Sequence, residues 1–247
     1  MNSTVSAIAL LTLRIGPLFA IAPPFSQINV PVRIRITLVL GLAAALAPVM
    51  PSNLPQTDGA FIASAACELI LGLAIAFSLQ IAFASLSFAG RALDVQAGFG
   101  LALVIDPGSR GRAPLLGTAL TMGAGMIFFA NNGHLEAVRL LASMANVLPV
   151  GQSSIAGSPE MLIGYTSLIM GIGLSAVAAA VVTLFLIDIT IGFLSRALPQ
   201  MNALMMGLQV KAIAALVMLA LSAGLLGPVV LRLLRHAFDY TASLATQ

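Results

Sequence analysis

The possible folds of this chain are constrained most by two long, uncharged apolar runs. A short charged and glycine-rich segment lies between them. The runs cover residues 69–90 and 113–135, and each is about as long as the hydrocarbon core of a bilayer is thick. The segment from Leu93 to Pro114 contains two aspartates, two arginines and four glycines. Lipid cannot satisfy loose backbone groups or bare charges, so such a segment must be buried in protein or face a watery cavity. It therefore predicts a conduit, or the plug of one, within a membrane assembly.

Composition supports a membrane protein. Of the 247 residues, 60% are hydrophobic and 8% are charged, whereas a soluble domain carries about 25% charged residues. The formal net charge is +3, and the basic residues are scattered along the chain. A protein that reads nucleic acid would need a basic stripe, so we expect no nucleic-acid partner.

The apolar sequence predicts an all-α fold with six main helical blocks in a single domain over residues 1–247. Prolines and glycines at the block ends supply the stop signals of helices. Two shorter helices are expected at residues 134–147 and 189–198, the first of them amphipathic. The six predicted blocks cover residues 6–22, 34–49, 60–89, 115–130, 161–187 and 203–234.

The distribution of basic residues argues against a simple six-span bundle. With six spans, the arginines at 33–35 and 110–112 fall on one side of the membrane, and those at 232–235 fall on the other. Basic loops normally collect on the cytoplasmic side. We therefore expect the mature protein not to sit in the bilayer as a conventional bundle.

Several ionisable residues lie within or against apolar helical sequence. Arg14 and Lys211 lie nearer block interiors, so we expect each to pair with an acidic group of this chain or of a neighbour. Glu68, Arg91 and Asp188 lie near block ends, where long side chains can reach the membrane surface. We expect these three to mark helix ends.

The sequence gives little support to an enzyme. His134 and His236 are far apart, and no Cys/His cluster has the spacing of metal ligands. No serine lies in a nucleophile-elbow pattern, and no glycine-rich stretch matches a phosphate-binding loop. We therefore expect no catalytic activity, no metal and no cofactor. A small secondary transporter is an alternative, but its halves should show repeat symmetry, and Pro23-Pro24 has no counterpart in the second half.

Four stretches, in order, carry a resemblance to a known family. Together they span residues 14 to about 211, which is nearly the whole chain. The chain resembles the FliR family of flagellar export-gate subunits and, more distantly, the corresponding subunits of virulence type III secretion systems. The N-G-H-L element favours the flagellar branch. The stretches are Arg14–Ser26 with Val30–Ile36, Asp94–Pro107, Asn132–Leu135 with Leu148–Gly151, and Leu194–Asn202 with Gly207–Lys211.

The resemblance implies an architecture and partners. The fold would consist of membrane-associated helical hairpins with broken or kinked helices, similar to a fusion of the P and Q export-gate subunits. One copy would assemble with several copies of P and of Q, lifted out of the bilayer plane. A substrate-switch membrane subunit and unfolded exported proteins would be further partners. The location would be the bacterial inner membrane, within the flagellar basal body.

The resemblance also implies that a loop at about residues 105–116 plugs the closed pore. Prolines and glycines in this loop prevent a regular helix, and its two arginines keep it polar enough to meet water. Asp94 to Val104 is expected to be helix packed inside the assembly. The candidate plug residues are Ile105, Asp106, Pro107, Gly108, Ser109, Arg110, Gly111 and Arg112.

Overall fold

A computed structural model describes residues 3–27, 30–55, 57–99, 114–151, 158–198, 200 and 202–244. Regular secondary structure in these residues is helical, apart from one isolated β-bridge between Ser52 and Val150. The predicted all-α fold class is confirmed. The helices are α1 (Ser3–Ile21), α2 (Pro23–Ser26), α3 (Val32–Leu46), α4 (Asp58–Ala97), α5 (Leu115–Ala130), α6 (Gly133–Val147), α7 (Pro159–Ser175), α8 (Ala178–Ala197) and α9 (Ala203–Ser243).

Four described helices are long and apolar enough to cross a membrane, judged by length and composition: Ser3–Ile21, Asp58–Ala97, Ala178–Ala197 and Met205–Ser243. Their burial differs greatly. In α4, 61% of the most apolar stretch is buried within the protein, whereas the figure is 11% for both α8 and α9. The apolar faces of α8 and α9 are therefore left for lipid or for other subunits.

Two helices are much longer than a bilayer requires. At a rise of about 1.5 Å per residue, the 40 residues of α4 and the 41 residues of α9 each correspond to about 60 Å of helix, about twice the hydrocarbon thickness. A helix of this length does not fit wholly within a bilayer at ordinary tilt. The expectation that the chain does not sit in the bilayer as a conventional six-span bundle stays a prediction.

The fifth predicted block is divided in the structure. Instead of one helix over residues 161–187, α7 ends at Ser175 and α8 starts at Ala178. Backbone N–H groups of Ala176 and Val177 bond to carbonyls three residues earlier, which tightens the chain into a turn. The separate helix predicted at residues 189–198 is wrong, because those residues continue α8 as far as Ala197.

The described chain folds into two compact units. The first comprises Met1–Ala82, Phe128–Ser167 and Leu234–Gln247. Its core includes stacked rings of Tyr165 and Tyr240, with centroids 4.3 Å apart. The Tyr165 hydroxyl donates to the carbonyl of Ser78 at 2.6 Å, so this polar group is satisfied inside the core. Aromatic rings of Phe19, Phe25, Phe128 and Phe129 form a second cluster.

The second unit comprises Phe83–Ile127 and Leu168–Leu233. Small residues allow its helices to approach closely. A Cβ added to Gly173 would lie 2.6 Å from the hydroxyl oxygen of Ser85, which joins α7 to α4. Close approach through small residues is typical of helix packing in membrane proteins. The prediction of one domain over the whole chain stays a prediction.

Candidate functional site

Arg14 and Glu68 form a fully buried ion pair in the first unit. The guanidinium Nε donates to Oε2 of Glu68 at 2.5 Å, and Nη2 donates to Oε1 at 2.9 Å. Both side chains have 0% exposure. Two parallel N–H···O bonds are the strongest geometry for such a pair. The pair joins α1 to the interior of α4.

The same pair holds the chain segment that follows α6. Nη1 of Arg14 donates to the carbonyl of Leu148 at 3.1 Å, and Oε1 of Glu68 accepts from the N–H of Gly151 at 2.9 Å. Gly151 has φ +94°, and a Cβ there would lie 2.5 Å from the carbonyl oxygen of Asn53. Position 151, where the backbone N–H binds the carboxylate of Glu68, therefore requires a glycine. One ion pair fixes three parts of the first unit.

Gly72 sets the distance between α1 and α4 next to this pair. A Cβ on Gly72 would overlap the carbonyl oxygen of Arg14 and would lie 2.8 Å from that of Leu13. The obstacles are backbone atoms, which cannot swing aside as a side chain can. Gly72 therefore lets α1 come close enough for Arg14 to reach Glu68.

Lys211 also pairs with an acidic residue of this chain, in the second unit. Its Nζ lies 2.8 Å from Oδ1 and 3.0 Å from Oδ2 of Asp188, which joins α9 to α8. The side chains of Lys211 and Asp188 are 15% and 44% exposed. This pair is partly exposed, whereas the pair of Arg14 and Glu68 is fully buried.

Asp94 caps the start of α5 in the second unit. It is 4% exposed, and its carboxylate accepts from the backbone N–H of Leu116 at 3.0 Å and of Gly117 at 3.3 Å. The first N–H groups of a helix have no partner within the helix, and the dipole there favours a negative charge. Asp94, near the end of α4, therefore ties the start of α5 to α4.

Two glycines support this junction. A Cβ on Gly90 would overlap Cα of Gly117 and would lie 2.5 Å from its nitrogen, so α4 and α5 are in backbone contact. Gly98, just after α4, has φ +88°, a left-handed conformation that glycine adopts without strain. The residues on either side of 100–113 are thus held near each other.

The predicted plug residues 105–112 lie outside the residues that the structure describes. Of the predicted loop at about 105–116, Pro114 precedes α5, and Leu115 and Leu116 are its first residues. Helix α4 ends at Ala97. Within the described residues, the helix expected over Asp94–Val104 therefore extends only as far as Ala97. The plug itself stays a prediction.

Within the described ranges, no group of three or more His, Cys, Asp or Glu residues could hold a metal ion. His134 is the second residue of α6, and its ring lies 5.7 Å from that of Phe129. The charged groups with described partners are engaged in pairs and caps that hold helices together. Their arrangement positions backbone and helices.

The sequence interpretation missed the roles of Glu68, Asp188 and Asp94. Glu68 and Asp188 were expected to mark helix ends, but both lie inside helices and bind cationic side chains. One signal was available for Glu68: it is the lone acidic residue of the apolar sequence between Asp58 and Asp94. A charge in that position needs a partner, and Arg14 needed one as well.

This chain is similar to proteins with names from flagellar biosynthesis and from protein translocation. The profile of the family described as "Bacterial export proteins, family 1" matches residues 5–237. Flagellar biosynthetic protein FliR of Escherichia coli K12 is 27% identical, over 95% of this chain and 91% of that protein. FliR of Bacillus subtilis 168 is 27% identical, over 98% and 95%. Yop proteins translocation protein T of Yersinia pestis is 30% identical, over 61% and 59%.

Proposed function

The chain belongs to the bacterial export proteins, family 1, and we propose that it is a core subunit of a flagellar type III protein export gate. The observation that carries this proposal is the family match, which extends over residues 5–237. The subunit would form part of a conduit for unfolded flagellar proteins. We propose that it acts without a cofactor or metal.

The relatives favour a flagellar system over a virulence system. Two proteins named flagellar biosynthetic protein FliR align over 95% and 98% of this chain. The Yop translocation protein aligns over 61%, although its identity within that part is slightly higher. A subunit of a virulence type III system is the second candidate. Deletion of the gene distinguishes the two, because loss of flagellar filaments is expected only in the first case.

The open apolar faces support assembly with other membrane subunits. Helices α8 and α9 each bury 11% of their most apolar stretch within this chain, which leaves most of it for neighbours. We propose one copy of this chain with several copies of the P and Q subunits, beside the substrate-switch membrane subunit. The assembly would reside in the bacterial inner membrane, within the flagellar basal body.

We further propose that the loop at about residues 105–116 closes the conduit. Asp94 and Gly90 support this, because they hold the start of α5 against the end of α4. A loop that leaves and re-enters one such junction can be displaced without moving the helices on either side. Such a displacement is of the order–disorder or hinge type known from protein switches.

Deletion of Gly108–Arg112 tests the plug. We expect the deletion to leave assembly intact but to make the gate leak small ions, because the five residues belong to the proposed plug and lie outside the described helices. Ion conductance of the membrane, recovery of the complex and export of a flagellar protein would be measured in the same cells.

Deletion of Ser153–Gly157 is the matched control, since it removes five residues from the other loop-like stretch of the sequence. We expect it to leave ion conductance unchanged. If the deletion of Gly108–Arg112 left both conductance and export unchanged, the plug would be refuted, while the export function would still stand.

A further inference from the structure

Two apolar cavities lie on either side of α3 in the first unit, and Arg35 lines both. The first, of about 370 Å³, is walled mainly by aromatic and leucine side chains, among them Phe25, Leu42 and Phe129. The second, of about 600 Å³, lies against α1 and α4, with Pro17 and Leu73 in its wall. The surfaces that line both cavities consist almost entirely of carbon atoms.

Helix geometry explains why one arginine belongs to both cavities. With about 3.6 residues per turn, Leu38 and Leu42 follow Arg35 on one side of α3, and both line the first cavity. Val32, Ile36 and Val39 lie on the other side and line the second. Arg35 therefore lies on the boundary between the two apolar sides.

The guanidinium of Arg35 forms one described hydrogen bond and has spare donors. Its Nη1 donates to the carbonyl of Ala20 in the last turn of α1, at 3.3 Å. No acidic residue lines either cavity in the described part of the chain, and no described carboxylate forms an ion pair with Arg35. A guanidinium carries five N–H donors, so an anion could accept from those that Ala20 does not use.

We propose that Arg35 and the two cavities bind one anionic phospholipid. The phosphate would accept from the guanidinium of Arg35, and each of the two acyl chains would fill one cavity. Basic pockets between membrane helices bind anionic headgroups of this kind. An apolar helix from a partner would fill the cavities but would leave the arginine without an anion. A lipid with one anion and two chains matches both features.

Retention of phospholipid by the full-length chain tests the site. The chain is reconstituted in vesicles with equal amounts of phosphatidylglycerol and phosphatidylcholine and extracted in a mild detergent, and retained lipids are counted by native mass spectrometry. We expect phosphatidylglycerol to be retained in preference to phosphatidylcholine. Arg35→Gln should reduce this preference about fivefold, the contribution of one basic residue near anionic lipid. Arg35→Lys should keep most of it.

Arg33→Gln is the charge control, because Arg33 is exposed and lines neither cavity. We expect it to retain phosphatidylglycerol as the unaltered chain does. Equal loss in Arg33→Gln and Arg35→Gln would mean a general surface attraction and would overturn the proposal. Unchanged retention in Arg35→Gln, with helical content preserved, would also overturn it.

Filling the cavities tests the acyl chains separately. Leu38 lines only the first cavity and Leu40 only the second, and both are about half exposed, at 50% and 45%. Leu38→Trp and Leu40→Trp should each lower retention of phosphatidylglycerol severalfold. Leu221→Trp, at a position 73% exposed on α9, is the control. If both cavity variants retained as much lipid as the control, the two-chain site would be refuted.

Discussion

The two ion pairs that involve Arg14 and Lys211 differ in how completely they are enclosed. Arg14 and Glu68 are 0% exposed and make two mutual hydrogen bonds, and each also binds a backbone group. Lys211 and Asp188 are 15% and 44% exposed. The first pair connects α1, α4 and the segment after α6, whereas the second connects α8 to α9.

This difference separates a pair that holds the chain's own fold from one that is open to other subunits. Removing one member of a buried pair leaves the other charged and unpaired, which costs about 3–5 kcal/mol. An exposed pair is worth about 0–1 kcal/mol. We therefore expect the Arg14 pair to control stability of the subunit, and the Lys211 pair to matter mainly for assembly.

The largest expected effect is that of Glu68→Gln. The neutral amide removes the carboxylate that pairs with the buried guanidinium of Arg14, so the free energy of unfolding should fall by about 3–5 kcal/mol. This free energy is measured by unfolding the protein with denaturant in detergent while its helical signal is monitored. Glu136→Gln is the control, because Glu136 and Arg139 form an exposed pair at 3.5 Å. An effect no larger than that of the control would show that the buried pair does not stabilise the fold.

Replacing both members of the buried pair should cost less than the sum of the single changes. In Arg14→Met with Glu68→Leu, no charge is left unpaired, and buried pairs can often be replaced by apolar residues at little cost. The N–H of Gly151 loses its acceptor, so about 1–3 kcal/mol of destabilisation should remain. A double-mutant cycle gives the coupling free energy between residues 14 and 68. Simple additivity would contradict the pairing.

Asp94→Ala should have an intermediate and local effect. Asp94 has no cation among its described hydrogen-bond partners, and it stabilises α5 through the N–H groups of Leu116 and Gly117. Loss of such a cap costs about 0.5–2 kcal/mol. Hydrogen exchange should become faster at those two amides and stay unchanged in α1. Asp58→Ala, at the exposed start of α4, is the control. If the Leu116 amide kept its protection against hydrogen exchange, a capping role of Asp94 would be excluded.

Lys211→Met should have the smallest effect on the isolated subunit. We expect at most about 1 kcal/mol in detergent solution, where water can reach the 44% exposed side chain of Asp188. Recovery of the assembled complex should nevertheless fall, since we propose that the partly exposed Lys211 pair contributes to contacts with other subunits. Copurification of partner subunits measures this. Full recovery of the complex with Arg14 and Lys211 both neutralised would refute that role.

The positions of most helices could be predicted from the sequence, because apolar runs and terminal prolines are local signals. The boundaries of α5 at Leu115 and Ala130 and the end of α6 at Val147 agree with the prediction. The turn at residues 176–177 could not be predicted, because no proline marks it and the surrounding sequence is largely apolar. It became visible only in the backbone hydrogen bonds.

The partners of buried charges were harder to predict than the charges themselves. Arg14 was identified from its position in apolar sequence, but Glu68 lies 54 residues away, and no local spacing connects them. The role of Gly72 depends on the approach of a second helix to its backbone. Such properties arise from tertiary contacts, and a single sequence does not contain them.

Native mass measurement of the complex that copurifies with this chain in a mild detergent tests membership of an export gate most directly. We predict one copy of this chain together with several copies of each of two smaller membrane proteins. The open apolar faces of α8 and α9 would account for those contacts. Recovery of the chain alone, or as a homo-oligomer, would contradict the proposed function.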